Sequence, residues 1–267
     1  MNSEFDLPTY DSSQTAPGGP APAKPFPVWS GWDVILLISF AGFSAIFLGA
    51  FGGAASHILQ LKVPAFKLLP RPASEGVFLV CYQAVLDILI LMFIYFTITL
   101  KYNSPFFPSI KWLNHDRPYF LVFFPMGVLL AFVVLGVSVL VPTPVKPPIE
   151  ELLKHPVTAV LFAALGVFLA PFVEEVIFRG FIYPVVERRG GKVLAVVLTA
   201  LLFTGLHVSQ LWGSWIGIVL ILFVGLTLST VRAKTDSLVP SFVIHFSYNS
   251  TIAALFAIGA LVKGLPE

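Results

Sequence analysis

Six polar side chains stand in stretches of this chain that are otherwise almost wholly apolar: Glu174, Glu175, Arg179, His207, His245 and Asn249. A charged group near a bilayer centre costs about 2.5–3.5 kcal/mol on insertion scales, so a cluster of them there is by default a functional-site hypothesis. Glu175 and Arg179 are four residues apart. On a helix they share a face, one turn apart, with the acid N-terminal to the base, and each supplies the partner a buried charge needs. Glu174 is rotated about 100° from Glu175, which frees it to point elsewhere. His207 closes a Phe203-x-x-x-His207 turn, and His245 and Asn249 share a face of a later segment. A carboxylate and an imidazole can hold a water between them and take its proton. A second imidazole and an amide can donate to a developing oxyanion. No serine, threonine or cysteine lies in an obvious nucleophile motif, and Ser247, two residues from His245, faces away. The chemistry these types support is therefore hydrolysis by activated water.

Metal ions offer an alternative. Glu174, His207 and His245 could hold zinc with an open position. However, the helix motif of zinc proteases, two histidines four apart around a glutamate, is absent, and His245 is paired instead with Asn249, a poor zinc ligand. No metal or other cofactor is the favoured expectation, with zinc as the alternative.

The elements that must position these residues are membrane helices. Of the 267 residues, 57% are hydrophobic, 11% are charged and 26 are Phe, against about 25% charged in soluble domains. Seven segments approach the ~20 apolar residues of a membrane span, at about 32–56, 76–100, 119–141, 157–186, 193–210, 215–231 and 238–262. The class expected is all-α, a polytopic transmembrane bundle of about seven helices. A disordered Pro/Gly-rich tail is expected over 1–28, about three helices over 29–156, and a core of about four over 157–262. The acidic N-terminus is no secretory signal. A net charge of +2 without basic runs gives no reason to expect nucleic acid. Nine loop cations on one side (Lys24, Lys101, Lys111, Arg117, Arg188, Arg189, Lys192, Arg232, Lys234) against six on the other place the first side, and the N-terminus, in the cytoplasm. Cys81 is expected to pack as a small hydrophobe. Asp87, four residues after Gln83, is expected to be a hydrogen-bonded or protonated acid facing the bundle.

Taken in order, Glu174-Glu175-x-x-x-Arg179, Phe203-x-x-x-His207 and His245-x-x-x-Asn249 resemble the CPBP family of intramembrane endopeptidases. That family includes the eukaryotic CAAX prenyl endopeptidase and bacterial Abi-type and bacteriocin-processing or immunity proteins. The resemblance covers about Val157 to Ala254. It implies that Glu174 is the general base, that His207 helps position and deprotonate the water, and that His245 and Asn249 stabilise the oxyanion. Glu175 and Arg179 would support the site. The substrate implied is a membrane-anchored or hydrophobic polypeptide, prenylated CAAX proteins being one class, with lipid as the other partner. The small chain suggests a multi-pass protein of the bacterial inner membrane, where prenylated protein substrates are not expected. Two further readings stay open: a non-catalytic immunity or scaffold protein using the same pocket, and a transporter, which the lack of inverted repeats disfavours.

Overall fold

The structure, a computed structural model, describes residues 26–63, 71–113, 118–141 and 147–263; most of the expected N-terminal tail lies outside them. Helix α1 runs Gly31–Lys62. Helix α2 runs Arg71–Phe96 and continues through a π-turn, Thr97–Lys101. Helix α3 spans Tyr119–Leu140. A single run then extends over Pro156–His207, 52 residues. A straight helix of that length would measure about 78 Å, more than twice the ~30 Å hydrocarbon core. It breaks at Gly191, whose φ of 76° and ψ of 176° lie where side chains are disfavoured. Residues 156–190 are therefore α4 and residues 191–207 are α5. Trp215–Thr235 forms α6 and Leu238–Lys263 forms α7. The described residues thus form an all-helical bundle of seven long helices, with single turns at Phe106–Ser109 and Ile149–Leu153 between them. Among the described residues six helical runs are long and apolar enough to cross a membrane, with Pro156–His207 counted as one.

Close packing is concentrated in the later helices. Alpha-helix α3 lies against α7 so tightly that a Cβ on Gly127 would strike the Ser247 hydroxyl and the Ile244 carbonyl, the small-residue contact that lets membrane helices approach. Leu130, Ala131 and Val134 of α3 join Val224 and Leu228 of α6 and Ile244 and Tyr248 of α7 in one core. A second core joins Ile90, Ile94 and Ile98 of α2 to Val176 and Phe181 of α4, with Trp29 and Leu37.

One end of the bundle gathers charge. Asp33 of α1 accepts from Lys101 at 2.5 Å and from Tyr102 at 2.7 Å. Arg188 donates to the carbonyls of Pro27 and Trp29. Asp236 accepts from Lys111 at 2.9 Å and Arg232 at 3.1 Å. Loop cations expected on one side thus meet through acids and carbonyls of neighbouring elements. Two readings need correction. Arg232, taken as a loop charge, is buried. Cys81, expected to pack inward, is exposed, because the inner stripe of α2 is filled by its branched side chains.

Candidate active site

The site is built on a helix that is not a regular α-helix. Within α4, Leu165–Leu169 and Val176–Ile182 are π-helical. Such wider turns are frequent at functional sites. Three carbonyls within them accept side-chain donors from distant elements. The Gly166 carbonyl takes the Asn249 amide at 2.7 Å, that of Arg179 takes Arg232 Nε at 3.3 Å, and that of Phe181 takes the Trp29 indole at 2.9 Å. The ring of Trp29 also stacks on Phe181 with centroids 4.9 Å apart. The irregular helix is thereby held by α7, α6 and the segment that leads into α1.

Glu175 and Arg179 form the expected one-turn pair, 3.0 Å apart and both fully buried. The Arg179 guanidinium is used on every side. Its Nε donates to Ser229 Oγ at 3.2 Å and a terminal nitrogen donates to the Gly225 carbonyl at 3.0 Å, both on α6. Its plane lies 4.7 Å from the Phe203 ring of α5. Ser229 in turn meets Thr199 at 3.1 Å. A buried pair tolerates its desolvation when further hydrogen bonds complete it, and this one ties α4, α5 and α6 together.

His245 of α7 stands between the two glutamates. Its Nδ1 donates to Glu175 Oε1 at 3.1 Å, and its Nε2 lies 3.6 Å from Glu174 Oε2. The bond to Glu175 fixes which nitrogen carries the proton, as a carboxylate can only accept. Glu174 differs from its neighbour: its side chain is 23% exposed, while that of Glu175 is fully buried. One carboxylate is locked into the scaffold and the other stays partly accessible.

His207 and Asn249 sit further out. His207 Nδ1 donates to the Phe203 carbonyl in its own turn at 2.9 Å, leaving Nε2 as an acceptor. Its ring lies 4.7 Å from that of Phe203, which lies 5.8 Å from His245. The structure therefore brings Glu174, Glu175, Arg179 and His245 into direct contact and reaches His207 through the Phe203 ring. Asn249 is one turn along α7 from His245 and is engaged by Gly166. Zinc fits this arrangement poorly. Among the described residues no three His, Cys, Asp or Glu side chains are placed to hold one metal ion.

Several participants escape sequence reading. Ser229 and Thr199 are small polar residues in apolar helices, a recognisable signal. The role of Gly225 is that of a carbonyl, and Trp29 lies before the first apolar run, so neither has one.

A buried carboxylate–imidazole–carboxylate array inside a multi-pass integral membrane protein defines the class: a membrane-embedded protein with the groups needed for acid–base chemistry. Residues 156–251 match the family model of type II CAAX prenyl endopeptidases described as Rce1-like. The match falls on α4 to α7 and bears out the resemblance to the CPBP and CAAX proteases over that region. No curated protein and no solved structure matches the chain.

Proposed function

We propose that the protein is an intramembrane endopeptidase that hydrolyses a peptide bond of a membrane-anchored polypeptide with water activated by Glu174. The observation that carries this reading is the contrast between the two neighbouring glutamates around one imidazole. Glu175, paired with Arg179, orients His245. Glu174, facing His245 Nε2 and partly open, is placed to act on a water. In the reaction Glu174 takes a proton from that water, and the oxygen adds to the substrate carbonyl carbon. The carbon–nitrogen bond of the tetrahedral intermediate then breaks, and the Glu174 proton passes to the leaving amine. Asn249 retains a second amide hydrogen for the oxyanion. His207, with Nε2 free, accepts from the attacking water or its neighbour. The direct partner of Glu174 is His245, which supports a closer role for His245 in water activation and a more distant one for His207.

The substrate class proposed is a prenylated polypeptide ending in a CAAX-type sequence, the class in the description of the matching family. The cation-rich end of the bundle faces the cytoplasm, by the charge bias of the loops. The test is cleavage of membrane-anchored and prenylated CAAX peptides by the purified protein and by Glu174→Gln, each with and without a zinc chelator. Cleavage that disappears in the variant and ignores the chelator supports the reading. Turnover by a folded Glu174→Gln protein overturns it, and chelator-sensitive cleavage restored by zinc replaces it with metal catalysis.

A further inference from the structure

Asp87 is a buried acid that the mechanism above leaves without a task. It is 5% exposed and lies within the span Ala73–Lys101. Three residues later, Ile90 begins the stripe with Ile94 and Ile98 that packs against Val176 and Phe181 of α4. Asp87 belongs to that stripe by helical spacing, so it stands at the α2–α4 interface. Gln83 donates to its Oδ1 at 2.7 Å. Its Oδ2 is buried and has no hydrogen-bond partner among the described residues. The turn Ala170–Glu175 of α4, which carries Glu174, packs against α2, and His245 of α7 lies 3.6 Å from Glu174.

An ionised carboxylate with a bare oxygen in an apolar interface is costly. A proton on Oδ2 removes the charge but creates a donor that needs an acceptor. Glu174 is the acceptor at hand, and its Oε2 is the atom facing His245. We propose that Asp87 and Glu174 form a carboxyl pair holding one proton, in which Asp87 Oδ2–H donates to the Glu174 carboxylate, directly or through one water, and fixes its orientation toward His245. Asp87 is thus a positioning residue for the general base, and the inference rests on the function proposed above. Asp87 keeps its proton through the cycle, and the proton drawn from water resides on Glu174.

The experiment has two arms. Infrared spectra of the purified protein should show a protonated-carboxyl band that is absent in Asp87→Asn and shifted in Glu174→Gln, which exchanges the acceptor. This arm needs no turnover, so it stands even if no substrate is cleaved. A wild-type protein without the band, or a band that Glu174→Gln leaves unmoved, overturns the pair. In the kinetic arm, Asp87→Leu should lower kcat by about 10–100-fold with KM within about twofold, since it removes orientation and not binding. Asp87→Asn, which keeps a donor, should hold kcat within about threefold. A merely structural Asp87 would lower the melting temperature and leave kcat intact. Wild-type kcat in Asp87→Leu overturns the inference alone, whereas turnover in Glu174→Gln overturns the function on which it rests.

Discussion

Helices α1 and α6 are both apolar enough to span a membrane, yet they are held by different means. Of the span in α1, 11% is buried, against 33% of that in α6. The outward face of α1 carries Phe43, Ile46, Phe47 and Phe51, all well exposed. The inward face of α6 carries Gly225, Ser229 and Arg232, each bonded to α4. In a bilayer, burial of apolar side chains gives no driving force between helices, because lipid is as apolar as leucine. What fixes the later helices is polar bonding in a region without water. The first helix is tied at its N-terminal end by Trp29 and Asp33, packs on α2 through Leu37, Phe40 and the Ala45 carbonyl, and turns its other face outward. Chemistry requires atoms fixed to a fraction of an ångström, and the proposed site lies where polar bonds supply that precision.

The largest effect that would break this contrast is catalytic. Glu174→Gln keeps the size of the side chain and removes the base, so turnover should fall by about 10²–10⁴-fold while the protein still elutes and melts as wild type. Full turnover would show that the polar centre of α4–α7 is scaffold only. Next comes the scaffold itself. Arg179→Ala leaves Glu175 buried beside an empty volume and should destabilise the protein by about 3–5 kcal/mol, read by unfolding in detergent. A loss below about 0.5 kcal/mol would mean that α4, α5 and α6 are held by packing and not by this buried pair.

Trp29 sharpens the comparison because it belongs to the weakly held side and bonds to the strongly held one. Trp29→Phe keeps a ring on Phe181 and deletes the donor to the carbonyl of the π-turn, with an expected cost of about 1–3 kcal/mol. Ile46→Ala, on the outer face of the adjoining helix, should stay within about 0.5 kcal/mol. Equal effects in the two variants would contradict the view that the first helix is tied at its end.

The spans and the one-turn pairs were legible because each depends on spacing within a single helix. Glu175–Arg179 is the clearest case: four residues apart in the sequence and 3.0 Å apart in space. Relations between helices were not legible. The sequence spacing freed Glu174 to point away from Glu175, yet His245 lies between both. The π-turns of α4 leave no mark in composition, since one extra residue per turn changes hydrogen-bond register and not residue type. Without them the donors Trp29, Arg232 and Asn249 have no visible acceptors. Arg232 was read as a loop cation because charge counting sees the end of a helix and not the Tyr183 ring, 5.1 Å away, that covers the guanidinium.

The smallest effect tests the charged end, where both regions meet water. Asp236 caps α6 in a left-handed conformation, φ 49°, and accepts from Arg232 and Lys111. Burial acts to raise its carboxyl, but the Lys111 hydrogen bond and the Arg232 charge outweigh it and hold the group below the ordinary carboxylate range. A lowered folded-state value means that the stabilisation is complete above the unfolded value of about 3.9 and disappears as pH falls through the lower folded one. The side chain is 61% exposed, so solvent screening limits the gain to under about 1 kcal/mol. Asp236→Asn should therefore melt slightly below wild type at neutral pH, with the two curves converging as pH drops below the ordinary carboxylate range. A gap that is the same at every pH would assign the difference to the helix cap and not to the charge.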